Sequence, residues 1–136
     1  MSLFQYLIGN TDWSVKALHN IKLLWRDSLQ KPVAVPFDFD FSGLVNAPYA
    51  LPAESLPINL VKERYYNGYA RKLNELEANL LIFKEKKEDI YHLVHSIEGL
   101  EKKYIDETLE YFDQFYLIAD HPEKIQHEFI EKCRKE

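Results

Sequence analysis

Residues 73–97 read LNELEANLLIFKEKKEDIYHLVHSI. Leu73, Leu76, Leu80 and Phe83 recur at steps of three, four and three, which sets them along one face of a helix. Ile90, Leu93, Val94 and Ile97 continue the pattern up to Gly99, a residue that ends helices because it accepts positive φ without a Cβ clash. Downstream, Ile105, Leu109, Phe112 and Tyr116 form another stripe, stopped near Asp120-His121-Pro122. A last short helix would carry Ile125, Phe129 and Cys133 inward. The second half therefore reads as three or four amphipathic helices.

Upstream of residue 61 the chain changes character. Five of its six prolines fall there, with 4 basic and 5 acidic residues against 13 and 17 afterwards. Phe4 to Ile8 reads as the end of a helix or a short buried segment, stopped by Gly9-Asn10. His19 to Trp25 and Pro32 to Phe37 are short apolar-rich segments separated by the polar run 26–31. That spacing predicts two antiparallel strands joined by a loop of about six residues. From Ser42 to Pro57 the prolines forbid long regular structure. The expected fold is α+β and predominantly helical, with a hairpin-and-loop layer (residues 1–60) packed on three to five helices (residues 61–136) in one domain.

At 136 residues, 46% apolar and 29% charged, the chain has material for one packed core and is not disordered. A net charge of −5 excludes bulk charge-driven binding to nucleic acid. Its apolar runs are far short of the ~20 residues that cross a bilayer. The lone Cys133 makes neither an internal disulfide nor a Cys-type zinc site.

Chemistry-bearing residues concentrate in the first half. Asp12 enters the hairpin, Asn20 opens its first strand, and Asp38 and Asp40 end its second. Near one edge, carboxylates and an amide oxygen suit Mg²⁺, a hard ion that takes oxygen ligands. Blander accounts exist for the same residues. An Asx turn explains Asn10-Thr11-Asp12, and Phe37, Phe39 and Phe41 alternating with solvated Asp38 and Asp40 would be an ordinary strand. A short Asp-x-Asp also occurs in nucleotide-sugar glycosyltransferases.

The run Tyr6-Leu7-Ile8-Gly9-Asn10-Thr11-Asp12, then His19-Asn20, then Pro36-Phe37-Asp38-Phe39-Asp40 resembles the catalytic and metal-binding segments of atypical protein kinases, the HipA-like and CotH-type families. The resemblance covers residues 4–43 and implies the lower, C-terminal lobe of a kinase fold. It implies Asp12 as catalytic aspartate, Asn20 and Asp38 as metal ligands and Asp40 as a second acid, with Mg²⁺ or Mn²⁺ and ATP as cofactors. In the HipA-like pattern the metal-binding Asn follows the aspartate by about five positions, where this chain has Ala17. Asn20 stands eight positions on, so three extra residues must bulge from the loop. A kinase fold also has an upstream lobe with a Gly-rich loop and a strand lysine, and neither occurs here. The expectation is therefore a C-terminal portion of a larger kinase-like protein. Such a portion would be inactive alone, would hold no cofactor tightly, and would have the missing N-terminal lobe as its partner. Phe4, Tyr6, Trp13 and Trp25 would be exposed and favour self-association. The alternative is a non-catalytic helical interaction module.

Overall fold

The computed structural model describes every residue except Arg26, Leu29, Lys135 and Glu136. Residues 26 and 29 of the expected hairpin loop thus lie outside the described residues. The chain is α+β and predominantly helical. It forms two compact units, Met1–Tyr65 and Tyr66–Glu136.

The first unit opens with helix α1, Ser2–Leu7, which buries Leu3, Gln5, Tyr6 and Leu7. Gly9 at φ +65° ends it, where the Gly9 N–H donates to Tyr6 O at 3.1 Å. Strands β1 (Ile21–Leu24) and β2 (Val33–Pro36) pair antiparallel in the register Ile21↔Pro36 to Leu24↔Val33. Among the described residues of the hairpin only Ile21 is buried, and Leu24 and Trp25 are exposed. Tyr6 and Trp13, expected on the surface, are instead 2% and 8% exposed. Both are large amphipathic rings that bury an apolar body while the polar atom finds a partner, as where the Trp13 indole N–H donates to Asn10 O at 3.1 Å. The proline-rich stretch after β2 folds as successive turns, with Ala50 and Val61 buried. At its end Arg64 donates from Nε to Tyr6 O (3.0 Å) and from Nη2 to Leu7 O (3.1 Å). A cation there meets the end carbonyls and the negative dipole end of α1.

The second unit contains α2 (Leu73–Glu85), α3 (Lys87–His95), α4 (Lys102–Ala119) and α5 (Pro122–Gln126), the last running into a wider π turn at His127–Glu131. Leu76 and Leu80 of α2, Phe112 and Tyr116 of α4, and Ile125, Phe129 and Cys133 are buried, as their spacing predicts, and Phe115, outside the predicted stripe, is buried with them. In α3 the inward set narrows to Ile90 and Val94, four apart, while Leu93 is 65% exposed. Leu93 sits about 100° round the helix from Val94, and Ile97 falls past the helix end at His95. Gly99 takes φ +78° in the following turn rather than at the helix end itself. Pro122 starts α5 at its first turn, where a missing N–H costs nothing. The tail returns to the start of the unit, with Arg134 N–H donating to Gly68 O at 2.9 Å. Tyr66 packs edge-on against Phe129 at 5.0 Å.

A candidate metal and phosphate site at the base of the hairpin

Three backbone links bring the two acidic segments together. Asn10 and Ser42 form an antiparallel bridge. Gly43 N–H donates to Gly9 O and Leu44 N–H to Ile8 O, both at 3.0 Å. Phe37 N–H donates to Asn20 O at 3.1 Å, extending the hairpin by one pair beyond the strands. Asp12, Asn20 and Asp38 consequently share one end of the hairpin, as the sequence predicts.

The loop from Asp12 to Asn20 closes in a tight turn. Ser14 and His19 exchange both backbone hydrogen bonds at 3.0 Å, and Leu18 inside the turn takes φ +52°. Ala17 N–H donates to Ser14 Oγ at 3.1 Å. The turn therefore closes on itself and leaves Asn20 beside Asp12. Asn20 Nδ2 donates to both the backbone oxygen (2.9 Å) and Oδ2 (3.0 Å) of Asp12. His19 Nε2 lies 2.8 Å from Asp12 Oδ1. Both carboxylate oxygens of Asp12 are thereby held, and the side chain is 39% exposed. The Asx turn is present as well, with Asp12 N–H donating to Asn10 Oδ1 at 3.0 Å.

Asp38 does not continue β2. Its φ of +60° turns the chain at the point where a strand would alternate, so the expected Phe37-Phe39-Phe41 face is not formed. Phe37 is 40% exposed beneath Lys22 Nζ at 5.3 Å. Phe39 packs edge-on against Phe4 (5.8 Å) and Phe41 against Tyr49 (5.9 Å). Asn20, at φ +50°, is the second left-handed residue at the hairpin base. Asn and Asp tolerate this conformation better than other side-chain-bearing residues, and strained positions of this kind gather at functional sites.

Electrostatics mark the same cluster. The Asp38 carboxyl is held above the usual carboxylate range, first by the Asp40 charge, then by hydrogen bonding to Asp40, with a smaller push from Asp12 and a small opposing pull from His19. Asp40 Oδ2 accepts from Tyr49 OH at 3.1 Å, and that bond together with the Asp40 charge raises the Tyr49 phenol. No lysine or arginine pairs with Asp12, Asp38 or Asp40 among the described residues. Nor do three His, Cys, Asp or Glu side chains among them converge closely enough to hold an ion by themselves. A metal here would need the Asn20 amide oxygen or outside ligands. Tyr49 gave no signal in sequence, and His19 reads there as a strand-start residue rather than a partner of Asp12.

A concavity of about 360 Å³ lies in the helical unit between α2 and the α4–α5 corner. Leu80, Ala119 and Ile125 line it, and the Lys84–Asp120 ion pair (3.0 Å) spans its rim. It has no acid–base constellation comparable to the hairpin base. Among the described residues no helix is long and apolar enough to cross a membrane.

Compared with known proteins, the chain matches no family model, no curated protein and no solved structure.

Proposed function

We propose that this chain carries the catalytic-loop and metal-binding portion of a kinase-like phosphotransferase, with Mg²⁺ or Mn²⁺ and ATP as cofactors. The observation that carries the reading is the acidic cluster at the hairpin base, where the Asp38 carboxyl is raised beside Asp40 and Asp12, His19 alone forms an ion pair with Asp12, and no lysine or arginine among the described residues pairs with any of the three. Uncompensated acidic charge on a rigid turn is where a hard divalent cation binds most favourably. The donor set fits such an ion. Both hydrogen bonds of the Asn20 amide leave through Nδ2, so its Oδ1 stays available as a ligand, with the Asp38 and Asp40 carboxylates supplying further oxygens. Bound there, the metal would offset the charge of the phosphates. Asp12, oriented by His19 and Asn20, would position an acceptor hydroxyl and take up its proton.

Nucleotide grip is the part for which this chain offers no residues. In kinase-like folds an upper lobe provides it, and the exposed apolar side chains of the hairpin, Leu24 and Trp25 foremost, offer such a partner a surface. The chain alone is accordingly expected to transfer no phosphate. Binding of Mn²⁺, followed by electron paramagnetic resonance, tests the site without requiring turnover. The wild type should bind Mn²⁺ competitively with Mg²⁺, and Asp38→Asn and Asn20→Ala should each weaken it. Equal binding by wild type and both variants sinks the proposal.

A further inference from the structure

Two of the most deeply buried polar side chains in the first unit lie beneath the Asp12 loop. Gln5 and Asn10 are each 1% exposed. Asn10 Nδ2 donates to Gln5 Oε1 at 3.0 Å, and Asn10 N–H donates to Gln5 O at 2.8 Å. On its other side Asn10 Oδ1 accepts the Asp12 N–H, and its backbone oxygen accepts the Trp13 indole N–H at 3.1 Å. Its backbone bridges to Ser42, two residues beyond Asp40. One residue thus joins α1, the Asp12 loop and the turn that carries Asp38 and Asp40.

The pair is an odd choice for packing alone. Gln5 Nε2 is buried with no hydrogen-bond partner. A buried donor left unpaired is destabilising, whereas apolar side chains of the same volume in place of a polar pair are often neutral or better. What the amides add is direction. The Gln5 contact fixes the Asn10 side chain with Nδ2 inward and Oδ1 toward the Asp12 N–H. His19 and Asn20 then hold the Asp12 carboxylate from the far end of the loop, and their grip requires the main chain at residue 12 to stay in place.

We infer that Asn10 is the positioning residue of the Asp12 carboxylate, with Gln5 locking its rotamer. What Asp12 is positioned to do rests on the phosphotransfer reading above; the positioning itself is read from geometry that involves no metal. The pair acts on orientation more than on stability.

Amide hydrogen exchange by NMR on the full chain tests this, with Mn²⁺ binding measured in parallel on wild type, Asn10→Ala, Asn10→Ser and Gln5→Met. Asn10→Ala should speed exchange of the Asp12 amide by about tenfold relative to the Leu44 amide, which is bonded to Ile8 O, because local opening is uncoupled from global unfolding. Asn10→Ser should recover much of the protection, since a hydroxyl two residues before the N–H makes the same turn more weakly. Gln5→Met should melt close to wild type and still loosen Asp12. Asp12 and Leu44 amides accelerating equally in Asn10→Ala would reduce Asn10 to a structural residue and overturn the inference. So would an unchanged Asp12 amide. A wild type that binds no Mn²⁺ while the exchange contrast persists overturns the metal reading and leaves the positioning intact.

Discussion

Replacing Asp38 with Asn should move the stability of this chain in two opposite directions, depending on whether a divalent cation is present. Asn keeps the left-handed backbone at φ +60° accessible, so the substitution alters charge and leaves the turn unstrained. Without metal, Asp38 faces the Asp40 and Asp12 charges, which hold its carboxyl above the ordinary range. A carboxyl raised in the folded state is least destabilising below its unfolded value and most destabilising once pH has risen through the folded one. At neutral pH Asp38→Asn should therefore melt slightly higher than wild type, and the advantage should shrink as pH falls toward 4. With metal the order reverses. For a dissociation constant of about 1 mM, about 10 mM Mg²⁺ adds about 1.4 kcal/mol to the folded state. If the 65-residue first unit melts alone, its entropy of about 0.14 kcal/mol/K turns that into about 10 °C. If all 136 residues melt together, the same binding gives about 5 °C. Differential scanning fluorimetry with and without Mg²⁺, at pH 4 and pH 7, reads all of these quantities. A metal-dependent rise as large in Asp38→Asn as in wild type would refute the assignment of Asp38. A lower metal-free melting temperature for the variant at pH 7 would refute the electrostatic argument beneath it.

Other consequences are simpler to check. Arg64→Ala removes two donors from the end carbonyls of α1 and should cost at least about 1–2 kcal/mol in urea unfolding; Arg64→Lys should not restore it, because an ammonium lacks the planar fork. Gly68→Ala would place a Cβ 2.5 Å from Tyr66 Cζ, a ring that is itself buried against Phe129; a loss of about 1–3 kcal/mol is expected by denaturant titration. Tyr91 OH donates to Asp113 Oδ1 at 2.6 Å, and this bond is the leading cause that lowers the Asp113 carboxyl, with Lys87 a weaker one. The stability it supplies is present above the unfolded carboxylate value and lost as pH falls through the lowered one. Tyr91→Phe should therefore cost about 1 kcal/mol near pH 7 and progressively less in acid, as followed by circular dichroism.

The helices were legible because burial imposes a period. Leu76, Leu80, Phe112, Tyr116, Ile125 and Phe129 are spaced as their faces require, and all six are buried. The hairpin was legible from two apolar runs and the polar gap between them. Local conformations that depend on partners elsewhere were not. Nothing in the local pattern marks His127–Glu131 as a π turn, since the widened turn is accommodated around a fully buried Phe129. The Phe-Asp-Phe-Asp-Phe run has a strand's alternation and yet breaks at Asp38. Register cannot reveal that break, because it is made by the bridge between Asn10 and Ser42 and by the packing of Phe39 on Phe4. At the site, the meeting of Asp12, Asn20 and Asp38 was readable from motif spacing. The hold of His19 on Asp12 and the buried Gln5–Asn10 contact were not, since both need the loop to have closed first.

The two left-handed residues at the hairpin base separate shape from chemistry in a way that can be read across any set of related chains. At positions 20 and 38 the backbone admits Asn, Asp and Gly with little strain, and almost nothing else. On the metal reading proposed above, Asn or Asp keeps both the turn and the ligand; Gly keeps the turn alone. A relative that had lost its activity under relaxed selection would drift first to glycine at these two positions while its hairpin, its helices and its Asn10 bridge stayed intact. The pair of residues at 20 and 38 thus serves as a ledger of whether a descendant still does chemistry or has kept only the form.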